Sequence, residues 1–425
     1  MSEKPSRSAR SSVYITNWSL NEPLCQSQSV AYLKALAARG HRSCLMTFER
    51  PPYAVPSSDV AATKDALDAA GICWHPVPYH RRRNLAVAAF DTIRGLATAV
   101  TVLIRHRGRI VHTRTSVPAV IGLVAARLTG RRFLYDADSE LSEEYVDGGH
   151  WRRGSRVHRL LSRIERTCRR EADAIVVLTE RLRDRFLQER PGASVTVIPC
   201  CVDVARLRFD AGARDRRRRE VGAESARLLV YVGKIGPRYM IDETFELAKA
   251  VRRRAGDARL LVLTHDEPSM FQAIADRHGF GAATIVRRAS ADEIPGWLSA
   301  ADAGIALIRP ATSERGSSPI KISEYLAAGL PVVTTPAIGD VSDAIARESL
   351  GVVIPDQTPE ALDAAAARLE TLWLEPSAVR GRSMEWAQTA LDLVAVGASR
   401  YARLYDTLLT PRRASAPVQV SGCNE

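Results

Sequence analysis

The sequence predicts an α/β protein built from two doubly wound parallel-sheet halves, and three observations predict it. Short apolar runs rich in Val, Ile and Leu alternate with helical segments along most of the chain, the pattern of a parallel sheet covered on both faces. The alternation breaks once, in the charged, arginine-rich stretch from Asp203 to Ala226, and then resumes. A chain of 425 residues has the length of two domains, each large enough to bury a core of its own.

Each element has a local reason. Residues 13–18 read as the first strand, and the helix at 27–39 stops at Gly40, the usual left-handed terminator. Residues 44–48 return as a strand, and 84–106 form a long, mostly apolar helix. A strand at 110–113, a helix at 118–128 opened by Pro118 and a strand at 132–136 follow. Helix 157–171, strand 174–178, helix 180–189 and strand 195–198 close this half. Past the break, strand 227–232 ends at Gly233; helix 242–253, strand 258–263, helix 270–278 and strand 283–286 come next. Helix 291–300 and strand 303–307 precede helix 319–328, which runs from Pro319 to Gly329, and strand 331–334. Strand 351–354 and helix 359–371 end the second half, and 383–409 is a final helix broken near Gly397. The expected organisation is a domain at 13–203, a linker at 204–226, a domain at 227–382 and the final helix. Short segments at 1–12 and 410–425 flank them; the second, rich in Pro and Ser, is expected to be mobile.

Composition excludes several classes. Hydrophobic residues make up 46 % of the chain, too many for a disordered protein. Seven cysteines, an odd number with no CxxC spacing, indicate neither a disulfide scaffold nor a zinc site and fit a reducing compartment. The opening MSEKPSRSARSS has no apolar h-region, and the most apolar run, 85–104, is interrupted by Asp91 and Arg94, so neither a secretory signal nor a membrane span is expected. A cytoplasmic location is expected, with docking at the inner face of a membrane as its extension. Lys and Arg number 60 against 48 Asp and Glu, a formal charge of +12. The arginines cluster at Arg81–Arg83, 152–170 and Arg216–Arg219; they are either solvated surface or an attraction to anionic lipid or phosphate. Aromatic residues do not interleave with them, so nucleic acid is not an expected partner. Neither half carries GxGxxG after its first strand, nor GxxxxGK[ST], which weakens a dehydrogenase or P-loop reading. Ligands of such sheets bind at the carboxyl ends of strands, so a cleft between two sheets is the default site.

The densest chemistry lies in 316–335, GSSPIKISEYLAAGLPVVTT. Ser318 can cap the helix with Pro319 at its first position. The helix start offers unbonded N–H groups and a positive dipole end, which suit a phosphate. Lys321 adds a cation, and Glu324 stands where a carboxylate could accept two ribose hydroxyls. The competing reading is an ordinary capped helix with a solvated glutamate.

This segment resembles the donor-sugar helix of the family 4 glycosyltransferases, of GT-B fold, in a branch reading S-P-x-K-x-x-E-Y-L-A-x-G-x-P-V-V. Further segments agree in order: YVGKIGP at 231–237, YMIDE at 239–243 and IGD at 338–340, with Gln28, 32–33, 36–41, 111–114, 143–151 and 198–203 in the first half. The likeness spans about 13–409. It implies two facing Rossmann-like domains with a C-terminal helix crossing back onto the first. It also implies retaining transfer of a sugar from a nucleoside diphosphate sugar to a glycan or lipid-linked acceptor in bacterial surface polysaccharide or glycolipid synthesis. The donor is then a co-substrate; no cofactor and no metal are expected.

The resemblance assigns donor binding to Gly233, Lys234, Arg238, Ser318, Lys321, Glu324 and Gly339, with Glu324 on the ribose and Lys234 on the diphosphate. A second family lysine falls on Tyr239, leaving Lys321 or Arg238 to substitute. The family glutamate eight residues before the ribose glutamate falls on Gly316; Glu314 is out of register, and backbone groups at 337–339 stand in. Lys234, Arg114 and His112 form the expected catalytic set, the last two following the strand at 110–113. Asn17, Gln28, Asp136, Asp138, Glu143 and Glu144 are assigned to the acceptor side, with Asp138 replacing the arginine of a D-x-R-G pattern. Cys200 and Cys201 read as buried hinge residues. The other functional readings are a non-hydrolysing sugar-nucleotide epimerase and a non-catalytic binder of nucleotide sugars or glycans.

Overall fold

The computed structural model describes residues 11–80 and 85–410; residues 1–10 and 411–425 and the Arg81–Arg83 cluster lie outside it. Among the described residues, thirteen strands form two wholly parallel sheets. The first holds β1 (Ser12–Ile15), β2 (Ser43–Glu49), β3 (Ile72–Pro78), β4 (Ile110–Arg114), β5 (Arg132–Ala137), β6 (Ala174–Val177) and β7 (Val195–Val197) in the order β3-β2-β1-β4-β5-β6-β7. The second holds β8 (Arg227–Val232), β9 (Ala258–Leu263), β10 (Thr284–Arg287), β11 (Ala303–Ala306), β12 (Val332–Thr334) and β13 (Gly351–Val353) in the order β10-β9-β8-β11-β12-β13. In both sheets the order reverses beside the first strand, between β1 and β4 and between β8 and β11. These are the switch points where such sheets open a crevice at their carboxyl ends.

Strands such as β6 (AIVV) and β8 (RLLVYV) are buried along almost their whole length, because helices cover both faces. Four apolar clusters follow, two per sheet, one on each face. Helix Val60–Ala69 and β3 were not expected from the sequence. His75, Pro76 and Pro78 interrupt the apolar pattern of β3, and proline is tolerated there because β3 lies at the sheet edge.

The 204–226 stretch, expected as a linker, carries helices Val204–Leu207 and Ala211–Glu220. Two of its arginines are structural. Arg214 donates to the carbonyls of Ser299, Ala300 and Ala301 and pairs with Asp302 at 2.6 Å. Buried Arg218 donates to Ala300 at 2.8 Å and reaches Asp302 at 3.2 Å. These contacts cap the end of helix Ile294–Ala300, so Arg214 and Arg218 are spent within the fold, while Arg216 and Arg219 are exposed.

The final expected helix is two, Pro376–Ala390 on the second half and Ser399–Leu409 on the first, joined through a π-helical turn at Leu393–Ala398. The chain crosses between halves twice, and the crossings pair: Val202 N–H donates to Leu391 O and Leu393 N–H to Val202 O, both at 2.9 Å. The returning helix is anchored by buried polar contacts. Tyr401 donates to Asp136 Oδ2 at 2.6 Å; the Tyr405 hydroxyl lies 2.8 Å from His112 Nδ1 and 3.0 Å from Ser12 Oγ. A hydrogen bond to a buried carboxylate contributes roughly 1.5–3 kcal/mol. Tyr401→Phe is therefore expected to lower the free energy of the first half's unfolding by an amount in that range, read in urea as a lower midpoint; an unchanged midpoint would show that the strap does not anchor the fold.

Candidate active site

The two switch points face each other across the gap between the halves. On the second half, β8 ends in Gly233, whose φ of +144° suits glycine. A Cβ there would lie 2.7 Å from Lys321 Nζ, so the missing side chain is what lets the ammonium approach the turn. Lys321 sits in the first turn of helix Ile320–Ala327 and is buried, with no hydrogen-bond partner for its ammonium. The nitrogen lies 3.9 Å from the ring centre of Tyr239 and 4.3 Å from that of Tyr231. Cation–π attraction offsets part of its desolvation. Burial, then the charge of Arg238, pulls Lys321 down to about 7 against an opposing pull from Glu324. Tyr239, which stands where the resemblance has a second lysine, is thus the aromatic face on which Lys321 rests.

The same helix is fixed by its next residue. Tyr325 is fully buried, accepts from Val232 N–H at 2.8 Å and packs where a Cβ on Gly304 would be, 2.3 Å from its ring. Any side chain at 304 would push the helix off β11. With Tyr325 inward, Glu324 lies on another side of the helix and remains half-buried. Burial raises its carboxyl to about 7, with Arg206 and Lys321 opposing.

Ser318 does not cap this helix. Pro319 occupies the cap position with no side-chain bond, and the Ser318 hydroxyl instead accepts from Cys200 N–H at 3.1 Å. The serine ties the helix start to the hinge and leaves its first N–H groups without a side-chain cap. The Gly316 departure also has a physical reason. A Cβ at 316 would meet Leu182 of the first half at 3.1 Å, a tight contact that a glutamate could make only if Leu182 gave way. The 3-10 turn Ser313–Gly316 brings in buried Glu314, which accepts from Arg238 at 2.6 Å. Glu314 is the carboxylate that register counting set aside; its signal was a buried acid two residues away on a tight turn. Arg238, Glu314 and, from the other half, Glu144 lie within electrostatic reach of one another. Lys234 is exposed, and its carbonyl accepts from the Tyr231 hydroxyl at 2.8 Å. Gly339, at φ +48°, packs against Ser317 and Thr179 at the domain contact, and its N–H donates to Glu314 O at 2.9 Å.

On the first half, β4 ends at Arg114 and Thr115, and Thr115 holds φ +74°, a strained value for a β-branched residue. Its hydroxyl donates to Asn17 Oδ1 at 3.1 Å. Buried Arg114 donates to Asp136 at 2.7 Å, lies 3.6 Å from Asp138 and covers the Trp18 ring at 5.6 Å. Burial pushes Asp136 upward, but Arg114, His112 and Tyr401 outweigh it and hold the carboxyl below its usual range. Asp138 differs: burial raises it to about 7 against Arg114.

Three assignments are corrected. His112 is 1 % exposed and locked against Tyr405, and burial lowers its imidazole; it supports the strap beneath the cleft rather than facing it. Gln28 is buried in the π-helical turn Gln26–Val30 and donates to Cys201 O at 3.3 Å, a hinge contact. Glu143 pairs with Arg153 at 2.6 Å and His158 at 3.3 Å, bracing the start of helix Arg156–Glu171. The Cys200 and Cys201 thiols are buried and pushed up to about 11 and about 12, unreactive as expected.

The halves touch beside the site. Glu180 N–H donates to Asp340 at 2.6 Å, Ser313 N–H to Asp147 at 2.8 Å, and Arg181 pairs with Asp343. Two family models match the chain, "Glycosyltransferase Family 4" over residues 29–206 and "Glycosyl transferases group 1" over residues 226–371. No protein of curated function matches it by sequence. Among solved structures, Anabaena HepE in complex with UDP and glucose is 14 % identical, with a TM-score of 0.69 over 93 % of this chain and 100 % of that one. Sucrose-phosphate synthase from Thermosynechococcus elongatus is also 14 % identical, at 0.69 over 94 % and 99 %. WaaG, a glycosyltransferase involved in lipopolysaccharide biosynthesis, is 20 % identical, at 0.66 over 92 % and 99 %. At these identities the structures speak for the fold, and the family models speak for the chemistry. With one glycosyltransferase model on each half and the two facing parallel sheets of those neighbours, the chain is a family 4-like glycosyltransferase of GT-B fold.

Proposed function

We propose that the protein transfers a sugar, with retention of anomeric configuration, from a nucleoside diphosphate sugar to a glycan or lipid-linked acceptor in bacterial surface polysaccharide or glycolipid assembly. The observation that carries this reading is Lys321: a buried ammonium with no anion of its own, at the mouth of a helix whose first N–H groups are uncapped by any side chain. A diphosphate supplies the missing anion. The neighbours solved with UDP or UDP-glucose, and the lipopolysaccharide role stated for WaaG, support the donor class and the pathway class.

In this reading Lys321, Arg238 and Lys234 meet the charge that grows on the leaving diphosphate. Three cations and the helix N–H groups serve that role without a metal ion. Glu324 accepts the ribose hydroxyls. The bond from the anomeric carbon to the phosphate oxygen breaks and the acceptor oxygen bonds to the same face. Its proton passes to the departing phosphate, so no protein base is required. Asp138 and Glu144, both raised by burial, line the acceptor side. The carboxylate at 138 in place of the branch's arginine favours an acceptor that is not itself strongly anionic.

Acceptor-dependent release of nucleoside diphosphate across a panel of donors tests transfer. Glu324→Ala should weaken the productive donor by roughly 1.5–3 kcal/mol, at least about tenfold in Kd; an unchanged titration would reject the ribose assignment.

Lys321 predicts a pH signature. Its folded value is depressed to about 7, so at about pH 8 it is mostly neutral in the empty enzyme, while Glu324 is mostly ionised. Binding a diphosphate restores the lysine's charge and takes up a proton, so affinity falls as pH rises above about 7. Calorimetry in buffers of differing ionisation enthalpy should show net uptake, abolished in Lys321→Met. Zero uptake in the parent enzyme would place the diphosphate elsewhere.

Docking to an anionic membrane is the second part of the proposal. No helix among the described residues is long and apolar enough to cross a membrane. Adjacent helices Leu85–Arg105, Ser116–Thr129 and Arg156–Glu171 nevertheless expose Ile93, Ile104, Leu128 and Leu160, beside a run of arginines in the last of them. That combination suits the surface of an acidic bilayer. Pelleting with anionic but not neutral vesicles, reversed by salt, is expected; equal pelleting with both would count against it.

A further inference from the structure

A second cluster of reactive side chains lies at the other end of the first sheet, away from the cleft. β2 and β3 place Cys44 and Cys73 directly side by side in register. The two-residue period of a strand sets His75 on the same face as Cys73, and Cys73 Sγ lies 3.3 Å from His75 Nε2. His106 Nε2 lies 3.9 Å from the same sulfur, and the two imidazole rings are 5.2 Å apart. One ligand atom from each of the four residues lies within 4.8 Å of all the others.

His106 reaches the cluster from the turn that ends helix Leu85–Arg105. That turn is closed by a 2.9 Å bond from Gly108 N–H to Leu103 O, with Arg107 at φ +51°. A positive φ at a non-glycine residue costs free energy, and here it fixes where His106 stands. Cys44 is buried in the apolar cluster with Val13, Val77 and Leu103, while Cys73, His75 and His106 are only partly covered. The donors therefore have a dry side and an open side through which an ion can enter.

Two thiols and two imidazoles are a soft and borderline donor set that favours a tetrahedral ion. Bond lengths of about 2.3 Å to sulfur and about 2.0 Å to nitrogen place the donor atoms of such a site roughly 3.3–3.8 Å apart. The widest pair here would close by about 1 Å, within reach of side-chain rotation. We propose that Cys44, Cys73, His75 and His106 form a Zn²⁺ site that clamps β2, β3 and the end of helix Leu85–Arg105 together. In the bound state both cysteines are thiolates, any thiol proton still held being released, and two sulfur–zinc bonds form. The resulting centre is neutral, because two thiolates cancel the dication, and so is compatible with the flanking Arg105, Arg107 and Arg109. Because the ligands lie at the amino ends of the strands, the ion has a structural place and stands apart from sugar transfer.

The test uses the full-length, reduced protein stripped with a chelator and titrated with Co²⁺. We expect one equivalent to bind, with intense thiolate-to-cobalt charge-transfer absorption, displacement by one equivalent of Zn²⁺ and a higher melting temperature. Cys73→Ser and His106→Ala should each lose most of the charge-transfer intensity. Elemental analysis of the unstripped wild-type protein, which does not depend on the variants folding, should find close to one zinc per chain. Absence of the charge-transfer band, a variant that binds Co²⁺ like the wild type, or loss of nucleoside diphosphate binding on chelation would overturn the proposal.

Discussion

A buried ammonium with no anion beside it is the constraint around which the second half is arranged. Leaving an isolated charge in a protein interior is costly, and the chain keeps Lys321 there by three devices. Gly233 removes the side chain that would collide with the ammonium, the rings of Tyr231 and Tyr239 face it, and Glu324 on the same helix draws it back towards the charged form. Arg238 works the other way, and its own charge is balanced by Glu314. The site is poised as a cation deficient in partners, a state that a bound anion relieves. Such preorganisation spares the enzyme the reorganisation that a solvated lysine would need.

The position of that ammonium depends on contacts far from it. Helix Ile320–Ala327 is held by Tyr325 against β8 and β11, and its approach is held by the Ser318 bond to Cys200 at the hinge. The hinge is in turn a single parallel bridge between two crossing segments, Val202 against Asp392. Beyond it the returning helix reaches Asp136, which also receives Arg114. A continuous set of polar contacts thus runs from the cleft floor of one half, through the hinge, to the helix start of the other. Closure of the cleft would move these groups as connected bodies about a narrow joint.

Much of the site was legible because it is local. The Ser-Pro-x-Lys-x-x-Glu-Tyr spacing places Lys321 and Glu324 on successive turns of one helix whatever surrounds it, and the strand ending at Gly233 needs only its apolar run and its glycine. The misreadings share one cause. Ser318 looked like a cap because a serine before a proline-led helix usually caps; Cys200 N–H, distant in sequence, took the hydroxyl instead. His112 looked available because it lies close to the carboxyl end of a strand, but Tyr405 returns nearly three hundred residues later to cover it. Glu314 was out of register by counting, and a 3-10 turn restored it. Each outcome was decided by a partner brought in from elsewhere in the chain.

The sequence by itself determined most of the order of strands and helices, helix Val60–Ala69, β3 and the helices of 204–220 excepted, together with the division into two parallel-sheet halves and the helix that carries Lys321 and Glu324, because periodicity, capping residues and glycine stops act over a few residues. Only the tertiary structure decided which polar groups are open and which are spent. It buried His112 and Gln28, paired Arg238 with Glu314, packed Gly316 tightly against Leu182, and gathered Cys44, Cys73, His75 and His106 from three separate segments. The physical reason is that hydrogen bonds, desolvation and steric exclusion depend on distance in space, and spacing along the chain fixes that distance only within a single element.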